Sequence, residues 1–199
     1  MIAGIVLAAG TSSRMGRPKL LLPLAGKPVL QHVLDALTGP PVDEIVVVLG
    51  PDPDAVRTAI ASPPRTRFVV NDGYAEGQST SLRTGLSAAG EDVQAAIILL
   101  GDQPGVRPDA ITAVAAAFIE NPRGAGVVQA SYGGRPGHPT LLARAVWDEV
   151  AGGPADEGAR EWIGRHPDRR LEVEVGGRPP RDIDTPEDYE RLRALFEEA

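Results

Sequence analysis

A single α/β domain built on a mainly parallel sheet is what this sequence predicts, and three observations carry the prediction. Short apolar runs alternate along the chain with longer amphipathic segments, the pattern of repeated βαβ units. The length of 199 residues fits one domain of this class. Apolar residues make up 42% of the chain while aromatics supply only 4%, so burial rests on Val, Ile, Leu and Ala.

Taken in order, Ile2–Leu7 is the first strand. Pro28 to Leu37 is a helix, with Pro in its first turn and Val29, Leu30, Val33, Leu34 and Leu37 on one face. Glu44–Leu49 is a buried strand, Asp54–Ala61 a helix and Arg67–Val70 a third strand. Asn71-Asp72-Gly73 is a turn, and the segment from Gly77 to Leu86 opens a helix whose hydroxyl residues are natural caps. Ala95–Leu100 is the most apolar strand, followed by a helix over Pro108–Glu120 and a strand over Gly126–Ala130. Gly133–Pro139 reads as a Gly/Pro-rich loop, with helices over Arg144–Val150 and Glu157–Arg165. Leu171–Val175 alternates as an edge strand does. The last helix starts at Thr185-Pro186-Glu187-Asp188 and runs to the C-terminus. The Gly/Pro-rich patches near 152–154 and 176–180 are loops.

The totals exclude several classes. There is no cysteine, hence no disulfide framework, thiolate metal site or cysteine nucleophile. No apolar run is long enough for a membrane span and no leader pattern precedes the first strand, so a soluble, cytoplasmic protein is expected. The net charge of −7 argues against a nucleic-acid-binding surface. Of the 20 basic residues only Lys19 and Lys27 are lysines, a bias that makes a retained compact ammonium noteworthy.

Against that acidic background, the first acidic residue is Asp35, and three cations (Arg14, Arg17 and Lys19) fall within a short stretch behind the first strand. The stretch runs Leu7-Ala8-Ala9-Gly10-Thr11-Ser12-Ser13-Arg14-Met15-Gly16-Arg17-Pro18-Lys19. Small residues let backbone approach a ligand, their free N–H groups attract anions, and the cations cover a polyphosphate from the other side. This is the pattern of a nucleotide-phosphate grip. It is not a P-loop, since five residues separate Gly10 from Gly16 and no Gly-Lys-Ser/Thr follows; nor does it have the glycine spacing of a dinucleotide fingerprint. Gly77-Gln78-Ser79-Thr80-Ser81 lacks the closing glycine of a nucleophile elbow.

In a parallel sheet, ligands bind beyond the carboxyl ends of the strands, so the grip, residues 78–83, Asp102, His138 and Asp184 are expected around one crevice. Asp102 directly follows the strand Ala95–Leu100 and Gly101. An isolated Asp-x-Pro most often caps a turn, and Asp184 in Asp182-Ile183-Asp184 could simply cap the last helix. Taken with a phosphate grip, the two make an oxygen-donor site for Mg²⁺, which takes one or two carboxylates plus phosphate oxygens. Either Asp182 or Asp184 could be the second carboxylate. Arg135 and His138 are candidates for holding an anionic acceptor. His32, His166 and the charges of Glu190–Glu198 read as structure or solvated surface.

These motifs resemble those of the MobA-like nucleotidyltransferases, and within them most the molybdenum cofactor cytidylyltransferase (MocA-like) branch. The matching stretches are residues 7–23, 77–86 (Gly-Gln-Ser-Thr-Ser-Leu-Arg-Thr-Gly-Leu), 99–104 (Leu-Leu-Gly-Asp-Gln-Pro), 137–142 and 182–188 (Asp-Ile-Asp-Thr-Pro-Glu-Asp), in family order across nearly the whole chain. The resemblance implies one domain over residues 1–199, a three-layer Rossmann-like (GT-A-like) fold, and transfer of a nucleotidyl group with Mg²⁺. By position it implies that Leu7, Ala8, Ala9 and Gly10 line the nucleotide and that Arg14 and Lys19 bind the triphosphate. Gln78, Ser79 and Ser81 would lie near base and ribose, with Asp102 and Asp184 on the metal. In the family Leu-Ala-Ala-Gly goes with CTP, so Ala9 points to cytidine. The chain departs from the branch at Gln78, usually Met, and around Asp156, where Gly-Asp-x-Gly-Ala-Arg is usual.

The implied reaction moves CMP, or another NMP, from the nucleoside triphosphate to a phosphate-bearing small molecule, molybdopterin being the best single acceptor. The finished cofactor would pass to a receiving enzyme. Two other classes stay open: an NAD(P)-linked oxidoreductase on the same fold, and a non-catalytic nucleotide or cofactor delivery protein.

Overall fold

A computed structural model describes residues 1–121, 124–153 and 159–198. Strand β1 (Ile2–Ala8) is buried on both faces, Ala3 and Ile5 entering one apolar cluster and Ile2 and Val6 the other. A small hairpin, β2 (Pro23–Leu24) and β3 (Lys27–Pro28), leads into α1 (Val29–Ala36). Then come β4 (Glu44–Leu49), α2 (Pro53–Ala59), β5 (Thr66–Val70) and α3 (Gln78–Ala88). β6 (Ala95–Leu100) and α4 (Pro108–Glu120) complete the parallel half. The rest is β7 (Val127–Ser131), β8 (Pro136–Ala143), α5 (Trp147–Ala151), α6 (Ala159–Arg165), β9 (Arg170–Glu174) and α7 (Pro186–Glu197).

Seven strands form one sheet in the order β5-β4-β1-β6-β8-β7-β9. Only β8 runs antiparallel to its neighbours; every other pairing is parallel. Leu30, Leu34, Ile111 and Val114 from α1 and α4 pack on one face. Leu82 and Leu86 of α3 and Trp147 of α5 pack on the other. The result is a three-layer α/β fold with a mainly parallel, mixed sheet, as the alternation of apolar runs predicts.

The stretch expected as a loop over Gly133–Pro139 is different. The chain turns at Gly133 and Gly134, both at positive φ, and β8 starts at Pro136. Pro139 has no N–H for a ladder, and the sheet accommodates it by a register break. Gln129 pairs with Thr140 and Ala130 with Gly137, so His138 and Pro139 bulge out. The Arg144–Val150 segment is a 3₁₀ turn over Arg144–Val146 followed by α5. Of the expected helix over Glu157–Arg165, the first two residues and Asp156 lie outside the described residues. The hydroxyls at the start of α3 are not its caps: Gly77 takes that position at φ 137°, and the Thr80 hydroxyl turns back to donate to the Gly77 carbonyl at 2.7 Å.

Register brings the site loops to one edge. Leu7 lies opposite Val48 on one side and Leu100 on the other, so β1, β4 and β6 end together. Gly101 N–H donates to the Leu7 carbonyl at 2.9 Å and Asn71 N–H to that of Leu49 at 2.8 Å. Gly50, directly after β4, lies so close to the first loop that a Cβ there would collide with the Ala9 carbonyl oxygen. Backbone cannot yield as a side-chain tip can. Gly50→Ala is therefore expected to destabilise the fold by about 1–3 kcal/mol and to displace the Ala9–Gly10 loop. Urea unfolding midpoints and backbone amide shifts of residues 8–12 would check this; unchanged values would show that the contact is not tight.

Candidate active site

The loop behind β1 delivers Lys19. Ser12 sits in the left-handed region at φ 53°, a costly conformation for a non-glycine residue, and its hydroxyl accepts the Lys19 N–H at 3.2 Å. Buried Leu20 within the 3₁₀ turn Lys19–Leu21 and buried Leu22 directly after it then anchor the chain. So held, Lys19 Nζ donates to Asp102 Oδ2 at 2.5 Å and to Asp184 Oδ1 at 3.1 Å. The Lys19 and Asp102 side chains are 12% and 17% exposed, against 49% for Asp184, so a largely buried pair reaches out to a wetter carboxylate.

Burial alone would lower the Lys19 pKa, but the charge of Asp102, its hydrogen bond, and those of Asp184 together hold it above the ordinary lysine value. For Asp102, burial raises the carboxyl above its usual range, and the Lys19 ammonium offsets only part of that; the charge of Asp182 adds to the rise.

Asp184 comes from the far end of the chain. Ile183, fully buried, packs with Met15, Leu22, Leu24, Val29, Tyr189 and Leu192 in a small third core that joins the grip loop to α7. Its N–H donates to the Asp102 carbonyl at 3.2 Å. Thr185, not Asp184, caps α7: its hydroxyl accepts the Asp188 N–H at 3.2 Å and its N–H donates to Asp188 Oδ2 at 3.0 Å. The Asp184 carboxylate is thereby left to Lys19.

The start of α3 is fixed by Asn71, buried at the end of β5. Its amide donates to the Thr80 and Ser81 hydroxyls, each at 2.9 Å, and its oxygen accepts the Gly73 N–H at 3.0 Å. The helix N-terminus, which carries partial positive charge, opens on the crevice. Two cavities meet there. One, of about 280 Å³, is lined by Leu7–Gly10, Lys19, Tyr74, Gln78, Ser81 and Asp102. The other, of about 670 Å³, is lined among others by Ser79, Gln129, His138, Thr140, Arg160, Arg170, Asp182 and Asp184. Leu7, Gln78, Leu100 and Asp102 border both.

Most residues singled out in the sequence thus converge. Arg14 and Arg135 do not line either cavity; both are exposed. Arg17 is exposed too, its guanidinium 5.5 Å from the centroid of the Tyr189 ring. His138 does line the larger cavity. Enclosure by protein holds its pKa below the ordinary histidine value, although Nδ1–H donates to the Ile98 carbonyl at 3.1 Å. His32 and His166 serve structure, the first bonded to the Leu24 carbonyl, the second stacked on Trp162.

Sequence reading misses Gln129, although it identifies the strand that carries it, and Thr140, because the loop expected over Gly133–Pro139 hides the antiparallel partner strand that pairs the two residues beside the cavity. It missed Arg170 because edge alternation says nothing of the neighbouring cavity, and Gln103 because its partner lies 79 residues away. Arg160 stands in the family's motif and could have been found there.

The donor set is suited to a hard divalent ion. Two carboxylates already share one cation, and among the described residues no group of three or more His, Cys, Asp or Glu forms a closed metal site. Such an ion would complete its shell with phosphate oxygens and water, the habit of Mg²⁺.

A family model for the MobA-like NTP transferase domain matches residues 4–170. The chain is 35% identical to Rv0371c of Mycobacterium tuberculosis H37Rv, with a TM-score of 0.84 and 97% of each chain covered. That protein has also been solved as a manganese complex, here at 34% identity and a TM-score of 0.81, covering 97% of this chain and 98% of that one. A nucleotidyl transferase from Methanothermobacter thermautotroptrophicus (Mth528) is 30% identical, with a TM-score of 0.82 over 100% and 98% of the two chains. A curated relative, the nicotine blue oxidoreductase of Paenarthrobacter nicotinovorans, is 32% identical over 83% of each chain. Bifunctional GlmU proteins match over less of their length; the chain covers 31% of the one from Rhodospirillum rubrum.

The site yields two expected outcomes. Asp102→Asn removes a carboxylate whose charged form burial disfavours, so its melting temperature should stay within about 4 °C of wild type, while Lys19 keeps Asp184; a larger fall would contradict this balance. His138 has a folded pKa below the unfolded value of about 6.5. The unfolded chain therefore takes up the proton first, and His138's contribution is present above that pH and lost as pH falls toward the folded value. Urea unfolding between pH 7.5 and pH 5 should show His138→Gln losing less stability than wild type; equal losses would contradict it.

Proposed function

The chain belongs to the MobA-like NTP transferase family, and from that premise we propose that it transfers CMP, or another NMP, from a nucleoside triphosphate to a phosphorylated small molecule. Molybdopterin carrying its molybdenum is the best single acceptor. The observation that carries this reading is the meeting of Asp102 and Asp184 on Lys19 Nζ, at the border between the cavity lined by the Ala8–Gly10 backbone and the larger one. A reaction centre between two substrate chambers is what a group transfer requires.

In this reading a phosphate oxygen of the acceptor forms a bond to the α-phosphorus while the bond from that phosphorus to the bridging oxygen breaks, and pyrophosphate leaves. A phosphate monoester has a second pKa of about 6 and is already nucleophilic at neutral pH, so no side-chain nucleophile is needed. Asp102 and Asp184 would hold the divalent ion, Mg²⁺ in this proposal. When bound, that ion supplies Lewis-acid polarisation of the α-phosphate and neutralises developing charge. Leu7–Gly10 lie against the nucleotide, Gln78 and Ser81 near base and ribose, with Ser79 next to them on the side of the larger chamber. Lys19 pairs with the triphosphate and the leaving pyrophosphate, and Arg14 closes on it from the exposed loop. In the larger chamber His138, Arg160 and Arg170 face an anionic acceptor, and Arg135 would reach it from the turn before β8. Ala9 in Leu-Ala-Ala-Gly favours CTP. The whole chain acts as one catalytic domain, in the cytoplasm; no helix among the described residues is long and apolar enough to cross a membrane.

A second reading has a specific observation behind it, the oxidoreductase name of a relative 32% identical over 83% of each chain. It needs a nicotinamide dinucleotide, whose glycine fingerprint the loop lacks. Titration of NADPH against CTP, followed by thermal shift in Mg²⁺, separates the two: stabilisation by CTP alone supports the transferase, stabilisation by NADPH alone overturns it. Pyrophosphate release on mixing CTP, Mg²⁺ and molybdopterin excludes a delivery protein. Lys19→Ala should raise the KM for CTP by roughly tenfold to a hundredfold, as for loss of a charged hydrogen bond; an unchanged KM and kcat would remove Lys19 from the site.

A further inference from the structure

Gln103 is buried, 6% exposed, directly beside Asp102. Its Nε2–H donates to Asp182 Oδ1 at 2.6 Å, whereas its Oε1 is buried with no hydrogen-bond partner among the described residues. That orientation is forced, because the flipped amide would set its oxygen against a carboxylate. A buried amide oxygen without a partner costs stability, and leucine of similar size would avoid the cost. What this side chain contributes is its NH₂ group, so its role lies in what that group holds.

What it holds is the segment carrying Asp184. Asp182 is tied by Gln103, Ile183 by its N–H to the Asp102 carbonyl and by the third core, and Thr185 by the cap of α7. Asp184, in the middle, is the one turned to Lys19. We infer that Gln103 and Asp182 are a positioning pair: their bond docks the 182–184 segment on the strand end so that Asp184, and not Asp182, shares a divalent ion with Asp102. The identity of that ion rests on the transferase reading; the docking itself does not.

The two are tested separately in one set of variants. Without ligand, hydrogen exchange at the Ile183 amide reports docking. Gln103→Leu and Asp182→Ala should each speed it by about tenfold, the loss of one hydrogen bond to a charged group. Asp182→Asn, which keeps an acceptor oxygen, should change it by less than about threefold. The double variant Gln103→Leu/Asp182→Ala should exchange no faster than either single one, since both remove the same bond. With CTP present, Mn²⁺ affinity measured by electron paramagnetic resonance should follow the same order, and Asp184→Asn should abolish it. Gln103→Leu should keep the wild-type melting temperature or exceed it, which a purely structural role would not allow.

The inference is overturned if Gln103→Leu or Asp182→Ala leaves Ile183 exchange unchanged, or if Asp182→Asn abolishes Mn²⁺ binding as Asp184→Asn does. Failure of wild type to bind Mn²⁺ with CTP would instead defeat the transferase reading, with the exchange data still deciding the pair.

Discussion

One ammonium holds together parts of the chain that are 83 and 165 residues apart. Lys19 reaches Asp102 at the end of the central strand and Asp184 just before the last helix, and without it two carboxylates would face one another at a partly buried strand end. Like charges in such a place repel and drive up each other's pKa. The third core, built from Met15, Leu22, Leu24, Val29, Ile183, Tyr189 and Leu192, makes the arrangement mechanically sound, because the grip loop and the returning C-terminal segment share one apolar plug. The sheet supplies the depth: β1 and β6 end side by side, and the loops that follow have nowhere to go but the same crevice.

The arrangement carries local costs. Burial holds the Asp102 carboxyl above its ordinary pKa, Gln103 keeps an oxygen with no partner among the described residues, and Ser12 occupies a left-handed conformation. Each would be relieved by a substitution that favours stability alone, and all three lie within the segments that meet at Lys19. Costs gathered at one place are typical of a site kept for function rather than for packing. The two cavities give the place its direction, with small-residue backbone and the start of α3 on one side, histidine and arginines on the other, and Asp102 on the border.

Much of this was legible in the sequence because periodicity and turn chemistry are local. Glu44–Leu49, Ala95–Leu100 and Pro108–Glu120 have the bounds that their apolar patterns and flanking residues imply, and the Thr185/Asp188 cap is written in four consecutive residues. That Asp102 and Asp184 approach each other followed from one topological rule about strand ends. What failed to show was non-local. β8 hides behind Gly and Pro because a bulge absorbs Pro139, and a bulge is set by the neighbouring strand. The Gln103–Asp182 bond joins residues 79 apart, and no spacing rule picks that pair from many. The expected hydroxyl caps fail because α3 already starts at Gln78, so Ser79, Thr80 and Ser81 fall inside its first turns, where Asn71, just after β5, bonds Thr80 and Ser81.

A crystal structure of the protein with Mn²⁺ and an α,β-methylene analogue of CTP tests the central claim most directly. An anomalous peak between the carboxylates of Asp102 and Asp184, with Lys19 moved from them onto the phosphates, is the expected result. A peak elsewhere, or a Lys19 still bridging the two carboxylates beside a bound nucleotide, would contradict it.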